Sequence, residues 1–341
     1  MSKHPAADDR TQYGGQAVVE GVMMRSPRYF AIACRRLSNG EIVVKVEDVE
    51  GKMRKFQWLN KPFLRGSLAL VDAMAMGIRA LTYAANIQAA DEKIVASPIS
   101  STSSGEAEVE ELEAQPINGI VIGGTLVLAL VLGYSLFWVL PEIITAGVQG
   151  LMHIHRLTSS QNFGVNILEG LIRISFFLAY ILLISRMPHV QRVFQYHGAE
   201  HKAINTLEAN LDLTVENARD ASRIHPRCGT NFIFIVLVVA ILVFSFFGRP
   251  APYIRVPLHL LLLPVVAGIS FEILKFAGKY RDKKWAQWLI APGLATQYLT
   301  TRVPDDEQLE VALASLKAVW NKEHAVVEPD DEQPEPTAAV A

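Results

Sequence analysis

The chain has 341 residues, half of them hydrophobic, with a formal net charge of −2 and a mean hydropathy of +0.23. The apolar residues are gathered into long runs, which excludes an ordinary soluble fold: four such runs within about 155 residues leave little polar surface. The near-zero charge says little about partners, and no nucleic acid is expected among them.

In chain order, residues 1–12 are polar and read as a disordered start, with no apolar core of a cleavable signal peptide. Residues 13–60 read as a small unit containing β-structure. Strand formers at 30–36 and 41–46 flank Leu37-Ser38-Asn39-Gly40, a hairpin signal. The Gly pairs between Tyr13 and Arg25 read as tight backbone turns, and Gly-Lys-Ser/Thr of a phosphate-binding loop is absent. Residues 61–90 predict a helix with Arg65, Asp72, Arg79 and Asn86 recurring every seven positions on an otherwise apolar surface. Such a helix lies in a membrane interface or packs against a bundle, and a core helix of the N-terminal unit is the bland reading. Residues 91–116 form a Ser-rich, acidic linker.

Residues 117–300 read as a membrane domain. Spans are expected near 117–140, 166–185, 230–248 and 256–276, since a crossing needs about 20 apolar residues. Gly119 and Gly123 open the first with a small-xxx-small spacing that permits oligomerisation. Lys and Arg number fourteen in 1–116, one in 141–165, six in 186–229, two in 249–255 and eight after Phe271. The alternation places both termini and the 186–229 loop in the cytoplasm of a multi-pass protein of the cell inner membrane. Cys34 and Cys228 then fall on the reducing side, as free thiols. Glu169 and Arg173, four apart in the second span, read as an ion pair inside the bundle. Glu272 beside Lys275 reads as a snorkelling end, and His259 as a hydrogen-bonded core histidine. Glu20 and Arg25 flank the N-terminal turn as a structural pair. Trp285 and Trp288 after the basic 275–284 stretch suit an interface. Pro304-Asp305-Asp306-Glu307 opens an amphipathic helix over 301–322 carrying Leu309, Leu313, Leu316 and Trp320. The 323–341 tail is rich in Pro and acid and reads as disordered. The fold class is therefore mainly α: about four membrane helices, a small N-terminal α+β unit and a cytoplasmic C-terminal helix.

The chemistry gathers in the 186–229 loop. His197-Gly198-Ala199-Glu200-His201 reads H-x-x-E-H, and His225 and Cys228 follow. On a helix over 194–209, His197 and His201 face the same way one turn apart, and Glu208 returns to nearly that face. Such a set suits a divalent metal, zinc above all. His197 and His201 are the expected ligands, with Glu208, His225 or Cys228 completing the shell. Glu200, off the ligand axis, is the expected general base toward water at the metal. A hydrogen-bonded interfacial cluster without metal is the bland alternative.

These strings resemble the YqhQ-like bacterial membrane proteins. The likeness rests on 15–25 (GQAVVEGVMMR), Arg65-Gly66, 196–202 (YHGAEHK), 213–217 (LTVEN), Ser222-Arg223, 225–230 (HPRCGT), Pro292-Gly293-Leu294 and Gln297. It runs from about Tyr13 to about Val319 and implies a metal-dependent enzyme without naming a substrate. Leu207 stands where the family pattern leads one to expect Tyr, and Asn210 where it leads one to expect Gly. Asn tolerates the left-handed backbone, so a helix can still end there. The reading that follows is a metal-dependent membrane hydrolase acting at the cytoplasmic face on an amphiphilic or membrane-bound substrate. A transporter lined by Glu169 and Arg173, or a non-catalytic assembly factor with a structural metal, are the alternatives.

Overall fold

A computed structural model of the protein describes residues 13–49, 61–96, 119–151, 159–248, 250–280 and 283–325. The start at 1–12, most of the acidic linker and the tail beyond 325 lie outside the described residues.

Four strands, β1 (Gly14–Val18), β2 (Gly21–Arg25), β3 (Tyr29–Arg35) and β4 (Ile42–Asp48), form an antiparallel meander in that order. The glycine-rich 13–25 stretch, read from sequence as tight turns, is two strands of a hairpin with one tight reversal. Val18 pairs with Gly21, and Glu20 makes the reversal with φ 51°. No clean alternation of apolar and polar residues marks it, because the sheet is covered on both faces. Val22, Met24, Ala31 and Ala33 pack on one side, and Met23, Phe30, Ile32 and Cys34 on the other.

The helices are α1 (Leu64–Ala96), α2 (Gly119–Tyr134), α3 (Leu140–Leu151), α4 (Ser159–Ile184), α5 (Pro188–Glu208), α6 (Val215–Asp220), α7 (Gly229–Ser245), α8 (Pro252–Lys279), α9 (Lys284–Thr300) and α10 (Asp306–His324). A π-helical turn, Ser135–Val139, joins α2 to α3 without a break. Among the described residues four helices are long and apolar enough to cross a membrane: Leu64–Glu92, Gly123–Leu151, Gln161–Ile184 and Tyr253–Lys279. Gly229–Ser245 is apolar but shorter. This set differs from the sequence expectation, which gave the first helix to the interface or to packing on the bundle and counted the 230–248 run. The first apolar run also continues past Leu140, since Glu142 is the first charge in it and does not stop the helix. A Cβ at Gly123 would meet nothing within 4 Å.

Helices α5 and α10 cover one face of the sheet, with Tyr196, Ile204, Leu309, Leu313, Leu316 and Trp320 in the shared core. Asp305 caps α10 in a reciprocal capping box with Gln308. Ser315 is buried and joins helix to sheet: its hydroxyl accepts from Met24 N–H (3.1 Å) and donates to the Ala31 carbonyl (3.0 Å). Glu20 pairs with Arg192 and Tyr196 of α5 rather than with Arg25, because the hairpin tip points at that helix. Helices α7 and α8 pack through Ile235, Val239, Ala240, Phe244 and Val266.

One polar centre lies inside this bundle. Glu169 of α4 accepts from Arg173 (2.9 Å) and from Arg255 of α8 (2.6 Å), and Arg255 also holds Glu142 of α3 (2.6 Å). Arg173 Nε donates to the Phe137 carbonyl in the π turn (2.8 Å), and its guanidinium lies 4.9 Å from the Trp138 ring. The expected pair is therefore part of a four-residue network across three helices. His259 stacks on Phe244 at 4.0 Å, and its Nδ1 has no hydrogen-bond partner among the described residues. Glu272 is held by both arms of Arg65 (2.7 and 2.5 Å), so it is a helix-to-helix clasp rather than a snorkelling end.

Candidate metal centre

Helix α5 starts at Pro188, where a residue without an N–H is tolerated, and ends before Asn210, whose φ is 54°. It presents His197 and His201 on one face, their rings 4.5 Å apart. Each ring is oriented by a backbone carbonyl. His197 Nδ1 lies 2.8 Å from the Thr300 oxygen, and His201 Nδ1 lies 2.6 Å from the Arg223 oxygen. A carbonyl oxygen can only accept, so both Nδ1 atoms carry hydrogen and both Nε2 atoms are bare. This is the second-sphere arrangement that fixes the tautomer of metal-binding histidines.

The bare nitrogens meet Cys228. His197 Nε2 is 3.2 Å from Cys228 Sγ, and the donor atoms of His197, His201 and Cys228 all lie within 4.8 Å of one another. One thiol hydrogen can serve one imidazole. Among the described residues His201 Nε2 is buried with no hydrogen-bond partner, and such an orphan calls for an explanation. Cys228 is the N-cap of α7, and Thr230 N–H points at its sulfur (3.5 Å). A helix N-terminus complements the negative charge that a thiolate ligand brings. Burial pushes the His201 imidazole below its ordinary value, partly offset by Cys228. That favours the neutral, metal-binding form.

Glu200 stands beside this group, its carboxylate 3.9 Å from His197 Nε2. Burial raises its pKa above the usual carboxylate range, opposed by His197, His225 and a hydrogen bond from the Gly15 backbone. Strand β1 approaches closely because residue 15 is glycine: a Cβ there would lie 2.9 Å from Glu200 Cγ. Gly198 does the same on the opposite side, where a Cβ would run into the Arg302 carbonyl. That close approach brings the Thr300 carbonyl to His197.

Glu208 and His225 lie outside the three-residue group. Eleven residues after His197, Glu208 returns to the same side, but about 16 Å further along the axis. It meets Arg227 and His225 Nε2 (3.3 Å) instead. His225 sits between, its ring 5.8 Å from that of His201, and burial lowers its pKa.

The loop bearing Cys228 is held by side chains that the sequence did not single out for this role. Lys202 Nζ donates to the Arg219 and Ala221 carbonyls, both at 2.6 Å. Asn205 donates to Ser222 (2.7 Å) and Ile224 (3.1 Å). Gln297 grips the His225 backbone at N–H and carbonyl, each 2.9 Å. Arg223 reaches the Thr301 carbonyl (2.7 Å), and Asn231 the Pro226 carbonyl (2.7 Å). Asn205 was readable, four residues after His201 on the same stripe. Thr300 and Gln297 carried no such signal.

Fold and site together define a mainly helical protein with apolar helices of membrane length and a His–His–Cys cluster in which His201 and Cys228 are buried and His197 is partly exposed. Residues 61–322 match the family described as "Protein of unknown function (DUF1385)". The chain is 36% identical over 324 residues to "Uncharacterized protein YqhQ" of Bacillus subtilis (strain 168), covering 95% of this chain and 96% of that protein. No solved structure matches the chain. The chain belongs to the YqhQ family.

Proposed function

We propose that this protein is a metal-dependent hydrolase of the membrane, with His197, His201 and Cys228 holding one divalent ion, zinc by donor type. The observation that carries the reading is His201 Nε2, buried and without a hydrogen-bond partner among the described residues, beside two other lone-pair donors. Two imidazoles and a thiolate are a zinc set, and three protein ligands leave a position open, as in catalytic sites. Such an ion supplies Lewis acidity at the site. Glu200 supplies the proton acceptor: burial raises its pKa, which makes its carboxylate a stronger base than an exposed one. Gly15 N–H holds that carboxylate in place. Glu208, His225 and Arg227 brace the wall of the site.

The membrane reading is supported by the apolar helices and by contact. The sheet, α5 and α10 share one core, so they lie on one side of a bilayer. An even number of crossings must separate the sheet from α5, and α5 from α10. The helix running 119–151 and α4 make the first two, and α7 and α8 the second two. The loop charges put the shared core in the cytoplasm. The substrate is then an amphiphilic or membrane-bound molecule reached from that side.

The test pairs metal content with function. Purified Glu200→Gln protein should keep its metal and fail to complement the phenotype of a null strain, with a rate loss of about 10²–10⁴ expected for a missing base. A Glu200→Gln protein that keeps its metal and complements fully refutes the hydrolase and leaves a structural metal.

A further inference from the structure

We infer that α1 lies along the membrane surface, its exposed apolar stripe seated among lipid acyl chains, and does not cross the bilayer. The inference rests on the membrane reading above and adds a second kind of lipid contact to it. By length and composition α1 qualifies as a span. Its contacts leave no room for one. From Met76 onward the helix belongs to the sheet: Met76, Ala80, Ala84 and Ile87 are buried against Val18, Met23, Phe30, Ile32 and Cys34. Gln88 donates to the Arg35 carbonyl (3.2 Å). Asp91, fully buried, accepts from Leu37 N–H (2.7 Å) and Ser38 Oγ (3.0 Å). The stretch left over, 64–75, is about 18 Å long at 1.5 Å per residue. The hydrocarbon layer is about 30 Å thick.

Parity gives the same answer independently. The sheet precedes α1, and α5 packs on the sheet. With the 119–151 helix and α4 both crossing, a third crossing by α1 would put the sheet and α5 on opposite sides.

The first turns of α1 are tied to α8. Arg65 grips Glu272 with two hydrogen bonds, and Ser67 Oγ donates to the Pro264 carbonyl (3.0 Å). The Glu272 end of this contact lies where the apolar run of α8 gives way to Lys275 and Lys279, and Pro264 lies about two turns further into that run. Away from α8 and the sheet, α1 exposes Leu70, Val71, Met74, Ile78 and Leu81. Their spacing puts them on one helical stripe. The helix that α1 is clasped to, α8, also exposes apolar side chains, among them Leu260, Leu261, Leu263 and Val265. An apolar stripe on a helix clasped to a lipid-facing span takes the same occupant, the acyl chains. An amphipathic helix in the interface buries such a face about 5–10 Å deep. Only strand β1 then separates α1 from the site: Gln16 lies against Gly77, and its neighbour Gly15 holds Glu200.

The test is spin-label depth in full-length protein in phosphatidylcholine/phosphatidylglycerol nanodiscs. Cysteines are placed singly at Leu70, Val71, Met74, Ile78 and Leu81, with Leu128→Cys in α2 as the span control. Unsubstituted protein reports any signal from Cys34 and Cys228. Oxygen against nickel-chelate accessibility should give one shallow depth for all five positions and a deep value for position 128. Depth that runs from 70 to 81 through the bilayer centre makes α1 a span and overturns the inference. Chelate-exposed labels at all five, with position 128 deep, overturn it as well. If position 128 is chelate-exposed, the membrane reading itself is wrong. Five surface positions keep the result independent of any one variant's folding.

Discussion

Two buried polar centres sit at opposite ends of α7, about 25 Å apart for a 17-residue helix. At the far end, Asn166 bonds Gly248, and Glu142, Glu169, Arg173 and Arg255 neutralise one another. At the near end, two bare imidazole nitrogens and a sulfur converge with no positive group among them. The first centre brings its own counter-charges and holds three helices and a π turn in place. The second gathers three lone-pair donors at one point. Burial is common to both. What separates a brace from a binding site is whether the donor and acceptor inventory closes within the protein.

If the far centre is a brace, breaking its charge balance should have the largest effect on stability. Glu169→Ala leaves Arg173 and Arg255 buried without their shared carboxylate, at a cost of about 3–5 kcal/mol. Thermal unfolding in detergent should show that loss, and the Glu169→Ala/Arg173→Ala double variant should recover part of it. Additive losses would separate the two residues.

At the near end, Gln297→Ala removes both hydrogen bonds that hold the His225 backbone. A stability loss of about 1–3 kcal/mol is expected, with metal affinity lowered on the order of 10–100-fold as the supporting shell loosens. Competition with a chelator measures the affinity. An unchanged affinity would mean that the loop carrying Cys228 is positioned without Gln297.

The limits of the sequence fall along the same division. The i, i+4 spacing of His197 and His201 was legible because a helix alone brings them together. Cys228 was legible only as one of three candidates, since axial rise on α5 and the path of the 209–228 loop decide between it and Glu208. Gln297 and Thr300 reach the site from α9, and no local pattern encodes that docking. Arg255 was hidden for the same reason: Glu169 and Arg173 are one helical turn apart, whereas Arg255 joins them from α8. The β1–β2 hairpin escaped because strands covered on both faces show no alternation. Family membership was legible from the motif strings.

The pH response should separate the centres further. Burial lowers the pKa of His225, so the folded protein binds fewer protons there than the unfolded chain. Its contribution is fully present above the ordinary histidine value of about 6.5 and is lost as pH falls from there toward the lowered value. Metal-free wild type should lose melting temperature through that window faster than His225→Gln. Parallel curves would show that His225 does not titrate on unfolding. The smallest effect belongs to the surface. Arg219 and Asp306 form an exposed pair at 2.7 Å, and Arg219→Ala should leave the melting temperature unchanged. A clear loss there would show that the 209–228 loop depends on α10 as well as on Lys202, Asn205 and Gln297.

The central claim is that His197, His201 and Cys228 hold a metal ion. X-ray absorption at the zinc edge, on detergent-purified wild-type protein with its metal content measured, tests it most directly. The account predicts about one ion per chain, with one sulfur near 2.3 Å and nitrogen or oxygen ligands at about 2.0–2.1 Å. The sulfur shell should vanish in Cys228→Ser. Protein that carries no stoichiometric metal, or a metal with no sulfur neighbour, would contradict the assignment.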